Sequence, residues 1–95
     1  MVYERVELMI KPGTDSAFEE AMRLGCTLLA SAKGCSKVSL AKGIENPSKY
    51  LLLLEWTEIS AHEDFTKTQE FQKFREIAGP FFLERPSMEH FSPRF

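Results

Sequence analysis

His62 and His90 are the two histidines of this 95-residue chain, and they are its best candidates for proton transfer. Imidazole is the side chain whose charge changes closest to neutral pH, which suits it to act as a general base. Sequence context puts His62 in the first turn of a helical region and His90 on the last strand. Two plainer readings stay open: His62 packing its helix or facing solvent, and His90 bonded at an interface. Tyr50, Trp56, Phe65, Phe71, Phe74 and Phe81 are candidates to line a substrate pocket, and equally to fill a core. Arg75 can hold an anionic group or simply solvate its helix. His62 and Glu63 make no metal motif, because no third ligand follows at a fixed spacing. No metal is therefore expected.

The element that must organise these residues is Tyr50–Trp56, Tyr-Leu-Leu-Leu-Leu-Glu-Trp. Alternation puts Tyr50, Leu52, Leu54 and Trp56 on one face and Leu51, Leu53 and Glu55 on the other. Both faces are apolar until the far end, the pattern of a central strand covered on both sides. Val2–Ile10 also alternates, with Val2, Val6, Leu8 and Ile10 in phase. Glu4 interrupts that phase, either at an exposed strand end or inside a polar cavity, and the exposed end is the expectation. Lys11-Pro12-Gly13 turns the chain. Thr14, Asp15 and Ser16 are cap candidates, Ser16 with Glu19 fitting the reciprocal pattern, and Phe18, Ala21, Met22, Gly25, Leu28, Leu29 and Ala32 then form a helical stripe ended at Gly34. Gly25 implies a close approach of this helix to the sheet.

Cys35–Lys42 reads as a polar edge strand. Ser60 with Glu63 fits a second capping box, and Thr66–Thr68 breaks the helical region in two. Phe71, Phe74, Ile77, Ala78 and Phe81 stripe the longer helix, which Gly79-Pro80 distorts or ends. Pro86–Phe91 is the last strand, with Met88 and His90 on one face. The order strand–helix–strand–strand–helix–strand defines an α+β, ferredoxin-like βαββαβ unit with an antiparallel four-stranded sheet. Its first and third strands are central. The helices cover one face only, and a bare apolar face of several hundred Å² forgoes of order 10 kcal/mol at about 25 cal/mol per Å². A homodimer paired through that sheet face is expected.

Composition narrows the function classes. A net charge of -2 and a pI near 5.7 make no electrostatic case for nucleic acid or an anionic membrane. No apolar run is long enough to span a bilayer, and the start of the chain has no signal-peptide pattern, so a cytoplasmic location is expected. One domain over residues 1–95 fits the length. Cys26 and Cys35, without a Cys-x-x-Cys spacing, read as reduced and partly buried.

Several segments in order resemble the antibiotic biosynthesis monooxygenase family. They are Glu7-Leu8-x-Ile10-Lys11-Pro12-Gly13, Gly34-Cys35, Pro47-x-x-Tyr50, Leu54-Glu55-Trp56, Ala61-His62-x-x-Phe65, Phe71-x-x-Phe74, Gly79-Pro80-Phe81-Phe82 and Glu89-His90-Phe91. The resemblance implies a dimeric α+β barrel, with a pocket between sheet and helices in each protomer. It also implies a choice among cofactor-independent oxygenases of phenols, quinol oxygenases, haem-degrading enzymes and an isomerase-like branch. Glu4 or Arg5 falls where haem-degrading members carry an Asn, and Phe65 and Arg75 fall at their Trp and His positions. Haem degradation is not expected. The expectation is a cofactor-independent monooxygenase of a small aromatic, phenol- or quinol-like metabolite, with His62 and His90 as catalytic groups. The alternatives are an isomerase or cyclase on the same fold, and a non-catalytic dimeric small-molecule-binding protein.

Overall fold

Val2–Met9 alternates apolar and polar side chains and forms β1, with Val6 and Leu8 buried on one face. The computed structural model describes all 95 residues. Gly13, at φ 80°, makes the turn into α1, Asp15–Ala30. β2 is Cys35–Lys42 and β3 is Lys49–Trp56. Two short helices follow, α2 at Ile59–Phe65 and α3 at Gln69–Ala78, then a 3-10 turn at Gly79–Phe81 and β4 at Ser87–Phe91. The sheet order is β2-β3-β1-β4 with every pairing antiparallel. The first and third strands are thus central, β2 is an edge, and the fold is the ferredoxin-like α+β unit.

The core lies between the sheet and the helices. Leu8, Ile10, Phe18, Met22, Tyr50 and Trp56 are its most completely buried large side chains. Each such burial contributes about 1.5–3 kcal/mol before the loss of conformational freedom is counted. The opposite sheet face carries Tyr3, Leu53 and Phe91, all substantially exposed in the single chain. It also carries ion pairs joining Arg5 to Glu7 and Glu89, and Lys49 to Glu7. This outer face is more charged than the Leu-rich sequence of β3 suggests.

Several local expectations are corrected. The residue before α1 is Thr14, whose hydroxyl donates to the Lys11 carbonyl instead of capping the helix, so Ser16 with Glu19 makes no capping box. Glu58 precedes α2 in extended conformation without a side-chain cap, and Ser60 lies inside the helix. Gly25 does allow a close approach, but to α3: a Cβ there would stand 3.4 Å from the Phe74 ring. Gly34 lies beyond the end of α1, at φ 88°. A Cβ on it would sit 2.7 Å from that of Ala61 and 2.9 Å from the Thr57 hydroxyl. Its carbonyl accepts the Thr57 N–H at 2.8 Å, so this turn seats the start of α2 against the sheet. Thr68 separates the two short helices as expected, its hydroxyl accepting the Phe71 N–H at 3.2 Å and donating to the Phe65 carbonyl at 2.7 Å.

Candidate active site

Glu4 is the centre of the site. It shares the inward phase of Val6 and Leu8 on β1 and is 5% exposed, so the expectation of an exposed strand end is overturned. Leu54 of β3 stands opposite it on one side and His90 of β4 on the other. The register of β4 is set upstream of that strand. Met9 accepts the Leu83 N–H at 2.7 Å, and Lys11 donates its N–H to Phe81 at 2.9 Å. Those bonds lead the chain back along β1. His62 arrives from α2, one turn past the β3–α2 connection that Gly34 seats.

Three groups converge on one carboxylate oxygen. The Trp56 indole donates to Glu4 Oε1 at 2.7 Å. His62 Nδ1 lies 3.1 Å from the same oxygen and His90 Nε2 lies 3.7 Å from it. The two imidazole rings are 4.6 Å apart between centroids, and the Trp56 indole meets the His62 ring edge-on at 5.5 Å. Both of these imidazole nitrogens are buried and neither makes a hydrogen bond. His62 Nδ1 is thus within reach of Oε1 without being bonded to it. Burial opposes a charge on Glu4, but His62, the Trp56 N–H and His90 outweigh it and hold the carboxyl below its ordinary range. The site therefore holds a buried carboxylate beside two imidazoles.

This cluster borders a cleft of about 680 Å³ between sheet and helices. Val6, Leu8, Leu52 and Leu54 line its sheet side, and Phe65, Phe71 and Phe74 its helix side. Arg75 and Arg85 are exposed lining residues, and the Arg75 guanidinium stands 6.0 Å from the centre of the Phe71 ring.

The structure thus brings His62, His90, Trp56, Phe65, Phe71, Phe74 and Arg75 to one region, with His90 beside the cleft through its contact with Glu4. It does not bring Tyr50 or Phe81 there. Tyr50 packs against Phe18 at 4.9 Å between ring centroids, and Phe81 against Phe18 at 5.7 Å. The Tyr50 hydroxyl donates to Glu19 at 2.5 Å. Burial and that neighbouring carboxylate push the phenol well above its ordinary range. Both rings belong to the core at the other end of the sheet, because Tyr50 lies six residues from Trp56 along β3. Glu4 is the residue that sequence reasoning left out of the site. Its signal was a carboxylate in phase with three buried aliphatic positions.

A family model for antibiotic biosynthesis monooxygenases matches residues 1–77, and the chain belongs to that family. It is similar to an uncharacterized Bacillus subtilis protein, YczJ, with 37% identity over 92 residues, spanning 96% of this chain and 97% of the relative. Among solved structures it resembles a Bordetella bronchiseptica protein described by the same family name. The TM-score is 0.93 and the identity 29%, over 99% of this chain and 97% of that one. SnoaB, a cofactor-independent oxygenase from Streptomyces nogalater, shares the fold with a TM-score of 0.85 at 15% identity, over 99% and 93% of the two chains.

Proposed function

We propose that the chain is a cofactor-independent monooxygenase of a small phenol- or quinol-like molecule, working as a homodimer in the cytoplasm. The observation that carries this reading is the buried Glu4 carboxylate, flanked by His62 and His90, beside a cleft walled by Phe65, Phe71 and Phe74. An imidazole takes the phenol proton, and Glu4 stabilises the resulting imidazolium. The phenolate gives one electron to dioxygen, and the radical pair combines at a ring carbon. Loss of water then leaves a new carbonyl. One oxygen atom enters the product and the other leaves as water with the O–H and C–H hydrogens. No external reductant is needed. The apolar walls keep bulk water from the intermediate.

The partner in the dimer is a second copy meeting the outer sheet face. Tyr3, Leu53 and Phe91 supply the apolar part of that contact. No helix is long and apolar enough to cross a membrane. The free thiols of Cys26 and Cys35 suit a reducing compartment.

The test is oxygen uptake across a panel of anthrones, naphthols and quinols. Wild type should consume one dioxygen per product, and His62→Ala or His90→Ala should slow it about 100-fold. No turnover across the panel, or rates indifferent to both substitutions, would overturn the assignment. Sedimentation should show a dimer that Leu53→Asp converts to monomer, and a monomeric wild type would remove the sheet-face contact.

A further inference from the structure

We infer that Glu4, His62 and His90 form a binding site for one divalent transition-metal ion of the zinc type. Their ligating atoms lie within 4.8 Å of one another, and they come from three different elements, β1, α2 and β4. An ion held at about 2.0–2.2 Å from each donor requires the donors to stand roughly 3–3.5 Å apart. His62 Nδ1 and Glu4 Oε1, at 3.1 Å, already satisfy this. His90 Nε2 stands 3.7 Å from that oxygen and within 4.8 Å of the His62 donor, so it must close by roughly half to one and a half ångströms, a movement of the edge strand β4.

The unpartnered nitrogens are the second, independent observation. A buried imidazole nitrogen without a hydrogen bond is costly, and this site has two, both beside the same oxygen and neither bonded to it. Donors gathered within 4.8 Å of one another, with two of them left without a hydrogen bond, meet the demand of an ion. The Trp56 N–H occupies one lone pair of Oε1 and fixes the carboxylate, as partners behind metal ligands do. Two imidazoles with one carboxylate favour zinc, cobalt, nickel or iron over magnesium or calcium. Glu4 and His62 border the cleft, so an exchangeable position on the ion can face it.

This inference stands apart from the proposed oxygenation. An ion and a proton compete for the same nitrogen lone pairs, so the metal-loaded chain should lose the base function assigned above. Failure to bind metal leaves that base function untouched. Absence of oxygenation leaves metal binding untouched.

The experiment titrates the metal-stripped protein with zinc chloride by calorimetry and with cobalt chloride by visible absorption. One zinc ion per protomer is expected, with d–d bands for cobalt and no response to magnesium. Ring C–H resonances of both histidines should shift on zinc addition to wild type, a readout that needs no variant to fold. His62→Gln and His90→Gln should each weaken binding at least about 100-fold, and Trp56→Phe about 10-fold. Absence of saturable zinc binding would overturn the inference. So would histidine resonances that stay put, or binding abolished by Cys26→Ser with Cys35→Ser and not by the histidine variants.

Discussion

The Trp56 indole N–H and the Glu4 carboxylate form a buried hydrogen bond of 2.7 Å between the two central strands. It joins a ring at the end of β3 to the one carboxylate on the inner face of β1. Removing the donor leaves a buried anion short of its best partner. Trp56→Phe should therefore cost about 2–3 kcal/mol in denaturant unfolding. With Glu4→Gln the two losses should be non-additive by at least about 1 kcal/mol, because the pair shares one interaction. Additive effects would mean that the bond does not stabilise the fold.

Gly34 offers a sharper test of how α2 is seated. Ala there must adopt the left-handed region and also crowd Ala61 and Thr57. Gly34→Ala should cost about 3 kcal/mol in thermal or denaturant unfolding. Gly79→Ala is the matched control, because its added Cβ meets nothing within 4 Å and its φ is -54°. It should stay within about 0.5 kcal/mol of wild type.

Tyr50 and Phe71 separate core from cleft. Tyr50→Phe removes the bond to Glu19 and should lower stability by about 1 kcal/mol, without changing the affinity of a naphthol probe. Phe71→Ala opens the cleft wall and should weaken that probe about threefold to tenfold. Fluorescence titration reads both. A probe that responds to Tyr50 and ignores Phe71 would place the ligand elsewhere.

The Lys42 ammonium beside Asp15, helped by the backbone N–H groups there, holds the Asp15 carboxyl below its ordinary value of 3.8. A carboxylate depressed in the folded state stabilises fully above its unfolded value and loses that contribution as pH falls through the folded one. The melting-temperature difference between wild type and Asp15→Asn should be present at neutral pH and shrink as pH falls below the ordinary value of 3.8 through the lower folded one. The effect is small, because both partners are 40% exposed and well screened by water.

Element order and the central place of β3 were legible in the chain because periodicity records burial directly. Leu52, Leu54 and Trp56 could be placed on the inner face from alternation alone. Cap positions were less legible: Ser16 and Ser60 fit a spacing rule, yet the chain enters each helix one or two residues earlier. The site was half legible. Histidine and aromatic types pointed to His62, His90 and Phe71, while Tyr50 shared the type and lay on the same face at the wrong end. The partnership of Glu4 with residues 58 and 86 positions away was hidden, because it depends on strand register and not on local spacing.

β4 is a five-residue strand bonded on one side only, to β1. Edge segments of that length open far more often than the body of a sheet, and their amides exchange with solvent first. Each such excursion would carry His90 away while Glu4, Trp56 and His62 stay in place. Opening of β4 would thus leave the cluster one donor short, so the complete set depends on the shortest strand of the sheet.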